Sequence, residues 1–336
     1  MTAPAAALAQ RAHQERLASQ AGRATDRLWR QVDPNNIGES WTRLLPNATT
    51  LLATLQLTAA LGSAEYLDEL LGVAAPAVAA VNADAFSGVA SDGRDLPTLL
   101  TLPAITTLGR IRQGDTPTRA LAAGRWQLDT LVRTQVLDAG RAAEQVGTAA
   151  RPRVVAYTRV VSSGACGRCV VLAGREYAWS EGFARHPRCA CQTVPLRPGQ
   201  HLTGTDPAEA FNAMSREQQN RSFGVHNAAA IRAGADIGQV VNARRGMIAP
   251  GDRRAGRRYT TEGTTRRGLA GQRLGDIARA PGQRYATSRR PRLTPEAIMR
   301  DSRDRQHALE LLYEHGYLMD PPAPATRAAT PATGDR

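Results

Sequence analysis

All four cysteines of this 336-residue chain, and one of its six histidines, fall within 26 residues: Cys166-Gly-Arg-Cys169, then His186-Pro-Arg-Cys189-Ala-Cys191. Such confinement asks for a chemical cause, and a bound zinc ion supplies it. Zinc takes four thiolate or imidazole ligands in a tetrahedron, and a C-x-x-C knuckle presents two of them from one tight turn. Residues i and i+2 of an extended segment point to the same face, so Cys189 and Cys191 can reach one metal together. Five candidate ligands compete for four places. Cys166, Cys169, Cys189 and Cys191 make a four-thiolate set; His186 with Cys189 and the first pair makes a Cys3His set. Neither leaves an open position for water, so the expectation is one structural zinc ion. Two disulfides, or free thiols, are the alternatives; a chain expected to stay in a reducing compartment disfavours stable bridges.

Composition narrows the class. The opening Met-Thr-Ala-Pro-Ala-Ala-Ala-Leu-Ala has neither a basic start nor a long apolar run, so it does not read as a signal peptide. The longest apolar stretches, around Leu51–Leu61 and Leu70–Val81, are broken by Thr, Gln, Pro76 and Asn82, and no transmembrane helix is expected. Aromatics are only 4% and alanine is abundant, which points to close-packed small-residue helices. Every one of the 43 basic residues is arginine, most simply a coding bias, whereas the net charge of +13 is independent of which cation carries it.

The expected fold class is mainly α with a small β element (α+β): an N-terminal helical bundle, a small zinc-clamped sheet domain and a basic flexible C-terminal arm. The expected boundaries are 1–115 for the N-terminal helical region, 116–246 for the Cys/His domain, 247–292 for the arm, 293–318 for a C-terminal helix and 319–336 for a disordered tail. Helices are read at Gln10–Val32, Asn47–Leu61 and Ala64–Val81, the last two separated by Gly62-Ser63. The clearest follows Thr116-Pro117, a cap and a first-turn proline, with apolar positions at helical spacing to about Gly147. Val154–Val161 is a β-branched strand and Cys189–Leu196 a second extended segment. Ser215-x-x-Gln218 has capping-box spacing, Ala235–Gly246 reads as a fixed loop, and Thr294-Pro295-Glu296 opens a helix running to His315-Gly316. Residues 244–300 hold 15 arginines against four acids. Arg244, Arg245, Arg253, Arg254, Arg257, Arg258, Arg266 and Arg267 are its candidate polyanion contacts.

The string from Cys166 to Pro195, Cys-x-x-Cys … His-Pro-x-Cys-x-Cys-x-x-x-Pro, resembles the motif of the phage Mu protein F-like minor head proteins. Arg133-Thr134-Gln135 on the preceding helix and the strand Tyr157–Val161 sit where that family places them. The block Gln239-Val240-Val241-Asn242-Ala243-Arg244-Arg245-Gly246-Met247, with Thr260-Thr261-Glu262-Gly263 and Arg292–Glu296, is similar to the version in phages of actinobacteria. The likeness covers roughly residues 120–318. It implies a head-morphogenesis protein present in few copies, made in the host cytoplasm and then carried in the virion, inside the head. Its implied partners are the portal protein, scaffold or major capsid protein, and packaged DNA; no membrane and no small-molecule substrate are implied. Relatives of this type are often labelled capsid maturation proteases, sometimes as fusions with the minor head protein.

The residues themselves weigh against an enzyme. Ser162, Ser163 and His186 are the nearest candidates for a protease, but no G-x-S-x-G elbow surrounds them, and the chain has no H-E-x-x-H for a catalytic zinc. A nuclease of the HNH type also combines C-x-x-C pairs with a histidine, yet Arg185 stands where an Asp or another His is wanted. Tyr177 and Trp179 are expected to pack over the metal site.

Overall fold

In the computed structural model, the described residues are 4–161, 164–181, 187, 189, 191–202, 206–243, 259–262, 277–278, 281 and 287–323. They are mostly helical, with two small antiparallel sheets. The chain divides into two compact units, Met1–Ala165 with Leu172–Thr205, and Cys166–Val171 with Asp206–Arg336.

The first unit is a helical bundle that carries a sheet. Its helices are α1 (Ala5–Trp29), α2 (Ile37–Leu71), α3 (Leu96–Arg112) and α4 (Pro117–Ala149). The Thr116 hydroxyl caps α4 by accepting from Arg119 N, with Pro117 in the first turn as its fixed φ allows. Where the sequence suggests two helices broken at Gly62-Ser63, the structure has one. Ser63 keeps α2 continuous by bonding Ala59 O at 3.0 Å, and it reaches Gly140 O of α4 at 2.7 Å. The helix ends at Gly72, whose φ of 45° needs no Cβ, before Pro76 is reached. Helix α3 is not visible in the apolar periodicity because Pro97 and Pro103 interrupt it. Its start is nevertheless a cap, Asp95 accepting from Thr98 N.

Leu52, Leu96, Leu100, Leu128, Val132 and Val136 form the bundle core. Trp29 and Trp41 meet edge-on there with centroids 4.9 Å apart, and their indole N–H groups donate to Leu121 O and Leu100 O. By length and composition alone, Ile37–Ala74 could cross a membrane, contrary to the expectation from the broken apolar runs. In this bundle Leu52, Ala59 and Leu67 of that helix are fully buried. Helix α4, grouped by sequence with the Cys/His region, packs against α1, α2 and α3.

The sheet of this unit has the order β2-β1-β3, with β1 (Ala156–Val160) central and antiparallel to both β2 (Glu176–Ala178) and β3 (Gln192–Leu196). Ala7, Tyr66, Leu67, Leu71, Val154 and Val194 join it to the bundle in one apolar cluster.

The second unit begins with the short helix α5 (Gly167–Val171) and continues with α6 (Pro207–Asn212), α7 (Arg216–Phe223), α8 (Val225–Arg232) and α9 (Ile237–Asn242). The capping box expected at Ser215 and Gln218 is present. Ala235–Gly246, read as a loop, contains α9 instead, because the Asp236 carboxylate caps it by accepting from Gln239 N at 2.7 Å. Strands β4 (Tyr259–Glu262), β5 (Ile277–Ala278) and β6 (Thr287–Leu293) pair in the order β4-β6-β5. The described residues of 247–292 therefore include ordered strands where a flexible arm is expected from charge and glycine content. The helix read from Thr294 to His315 is two, α10 (Pro295–Asp301) and α11 (Arg305–Glu314), because the Asp304 carboxylate starts a second helix by accepting from His307 N. Arg292 is fully buried in this unit, 4.5 Å over the Tyr317 ring, and donates to His315 O and Gln239 Oε1. It cross-links β6, α9 and the end of α11.

Candidate metal centre

Three of the four cysteines are buried, Cys169 at 1%, Cys189 at 0% and Cys191 at 2% exposure. Cys189 and Cys191 in the first unit, and Cys169 in the second, are each buried thiols of the kind that can ligate a metal ion. Cys166 is half-buried, and none of the four is in a disulfide. His186 lies outside the described residues, as do Ser162 and Ser163.

Within the first unit, Cys189 and Cys191 present their sulfurs on one side, 3.0 Å apart, directly before β3. The i, i+2 spacing thus does what an extended segment requires. That separation is far longer than an S–S bond of about 2.0 Å. It is also shorter than the roughly 3.8 Å that two thiolates reach on a tetrahedral zinc with bonds of about 2.3 Å, so the pair has to open slightly around an ion. The donor chemistry fits: soft, buried sulfurs suit zinc better than a hard cation.

The surroundings of the pair come from α4, α2 and β1. Arg141, on α4 and 4% exposed, donates from Nη2 to the Cys189 carbonyl and from Nη1 to Asp138 Oδ1 at 3.3 Å. One turn later Glu144, 1% exposed, accepts from Gln192 Nε2 at 2.6 Å and from the Thr193 hydroxyl. The Tyr66 hydroxyl of α2 donates to Thr193 O at 2.8 Å. Burial, reinforced by the neighbouring Glu144 charge, raises the Tyr66 phenol well above its ordinary value, so it stays a neutral donor. From the central strand, the Arg159 guanidinium donates to Cys191 Sγ at 3.2 Å and lies 3.7 Å from Cys189 Sγ.

Within the second unit, α5 carries Cys169, with Cys166 accepting at its carbonyl from Val170 N at 3.1 Å. Gly167 is the one residue type the knuckle tolerates there. A Cβ at Gly167 would fall 2.5 Å from the Phe223 ring, which itself meets Phe211 edge-on at 5.2 Å. A packed knuckle of this kind is a rigid mount for a ligand.

Sequence reasoning located the cysteines but missed Arg141, Glu144, Tyr66 and Arg159. The signal available was weak: charged residues at i and i+3 on the otherwise small-residue face of α4, and an arginine inside a β-branched strand. Tyr177 and Trp179, expected over the metal site, differ in their surroundings. Tyr177 stacks on Tyr157 with centroids 5.4 Å apart, and Trp179 is 47% exposed. Arg244, Arg245, Arg253, Arg254, Arg257, Arg258, Arg266 and Arg267 all lie outside the described residues.

A family model described as VG15 protein matches residues 1–217. That span contains the whole bundle, the first sheet and every cysteine. No curated protein and no solved structure matches the chain.

Proposed function

The chain is a member of the VG15 protein family, a phage virion-related family, and from that premise we propose that it is a minor head protein built around one structural zinc ion. The observation that carries the structural character of the metal is the burial of Cys169, Cys189 and Cys191. A catalytic zinc needs a position open to water and substrate, whereas thiols this deeply enclosed serve to hold segments together. The residues proposed for the ion are Cys166, Cys169, Cys189 and Cys191, or His186 in place of one thiol. When bound, zinc supplies folding energy to the segments that carry its ligands.

In this reading the N-terminal bundle docks to portal, scaffold or major capsid protein during assembly in the host cytoplasm, and the finished protein resides inside the head. Its arginine-rich region from 244 to 300 contacts packaged DNA through phosphates, without reading sequence. Support for this comes from the family, from the motif resemblance to Mu protein F-like proteins and from the charge excess.

Two measurements test the proposal. Mass spectrometry of purified particles is expected to find a few copies per head, at a fixed ratio to portal; presence only in immature heads contradicts a virion role. Elemental analysis of gently purified protein is expected to give about one zinc per chain. Co-expression with the major head protein addresses the protease alternative. Shortened head protein that disappears in Ser162→Ala, Ser163→Ala or His186→Ala, with zinc retained, replaces the present reading with proteolysis. Divalent-cation-dependent cleavage of DNA would do the same for the HNH-type alternative.

A further inference from the structure

We infer that Arg159 is the positioning residue of the metal site, holding the sulfurs of Cys189 and Cys191 for the ion and offsetting the charge of the loaded cluster; the inference rests on the zinc reading above. Arg159 leaves the middle strand of the sheet, opposite Thr193 of β3, and on its other side its backbone donates to Arg175 O and accepts from Gly174 N, just before β2, so its backbone is fixed from both sides. It is 2% exposed. A guanidinium does not lose its proton in proteins, so a chain that buries one must supply acceptors and, preferably, negative charge. The acceptors here include two sulfurs, Cys191 Sγ at 3.2 Å and Cys189 Sγ at 3.7 Å from the same nitrogen, Nη2.

A neutral thiol is a poor acceptor for so costly a burial, while a metal-bound thiolate is a good one. A zinc ion with four thiolates carries a net charge of about −2, and with three thiolates and one imidazole about −1. One buried arginine cancels half or all of that charge without competing for a ligand position. Donation to the sulfurs also withdraws charge from them and fixes where they point, as partners of metal ligands commonly do. Arg141 complements it from α4 by holding the carbonyl of Cys189, so backbone and sulfur of that residue are fixed from two elements.

The test compares the full chain with Arg159→Met and Arg159→Lys, reading zinc retention against a chromogenic chelator and the thiolate-to-cobalt charge-transfer band of cobalt-loaded protein. Loss of a metal-ligand partner typically costs about 10–100-fold in metal affinity, and R159M is expected to lose zinc to that extent. Its charge-transfer band is expected at lower energy, because the sulfurs regain the electron density that the hydrogen bonds had withdrawn. R159K keeps the charge but not the fork, so its affinity is expected to recover in part while the band stays displaced. R159M with wild-type zinc affinity and an unmoved band overturns the assignment and leaves the zinc site standing. Wild-type protein without zinc or cobalt binding instead removes the zinc reading itself. Should R159M fail to fold, R159K decides: full zinc retention with an unmoved band overturns the inference.

Discussion

At His315 two electrostatic influences oppose each other. Its place just beyond the last turn of α11 puts it at the negative end of the helix dipole, which favours the protonated ring. The structure adds burial, the largest influence, and the charge of Arg292, which together outweigh Glu314 and lower the imidazole below its ordinary value. The unfolded chain therefore takes up the proton more readily. The stability gained from a neutral His315 is present above about pH 6.5 and is lost as the pH falls below it. The melting temperature of the wild type is expected to drop more between pH 7 and pH 5.5 than that of His315→Gln; equal slopes contradict this. Cys169 makes the second residue-scale prediction. Cys169→Ser is expected to reduce zinc content from about one per chain to near zero and to lower thermal stability sharply, since structural zinc contributes on the order of 10 kcal/mol to folding. Zinc content by elemental analysis and a melting curve check it.

Among the elements, α4 connects the bundle to the candidate site. Its inner face is punctuated by Gly124, Gly140 and Gly147, and a Cβ at each would collide with a neighbour. At Gly124 the added atom falls 2.2 Å from Thr107 Oγ1, 2.7 Å from the Trp29 ring and 2.9 Å from the Pro103 carbonyl. Alanine in a helix interior is worth up to about 1 kcal/mol over glycine. Overpacking costs about 1–3 kcal/mol, and here one of the obstructing atoms is backbone, so the clash wins. Gly124→Ala is accordingly expected to destabilise the bundle by about 1–2 kcal/mol in urea denaturation. The same helix supplies Arg141 and Glu144 on successive turns to the segment running from Cys189 into β3, which ties bundle packing to ligand placement. Composition anticipated the close-packed helices, and the cap at Thr116 is found where it was read. The carboxylate and guanidinium that α4 contributes were illegible because one-dimensional periodicity marks a buried face only by its apolar residues.

For the whole molecule the governing quantity is the net charge of +13, concentrated between residues 244 and 300. Duplex DNA binding by the full chain is expected to weaken steeply between low and moderate salt, with log affinity falling by about 0.9 per phosphate contact for each decade of salt. Replacing Arg253, Arg254, Arg257 and Arg258 with glutamine is expected to flatten that slope. Binding that is indifferent to salt would remove the electrostatic account. This charge does not prevent local order, since β4, β5 and β6 form a sheet within the basic region. Leu293, Ile298, Leu312 and Tyr317 provide a core beside β6 that flexibility arguments from arginine and glycine content do not detect.

The sequence by itself determined where the candidate metal ligands lie, which helices begin at capped prolines and how the charge is distributed. Each of these depends on residue type and short-range spacing, which a linear reading preserves. Only the tertiary structure decided that α2 is one continuous helix and that Arg159 leaves the central strand to reach two sulfurs some thirty residues further along the chain. Those outcomes rest on contacts between distant segments: the Ser63 bond to Gly140 O and the pairing of β1 with β3. Their energies come from groups that meet only after the chain has folded, and no local pattern encodes them.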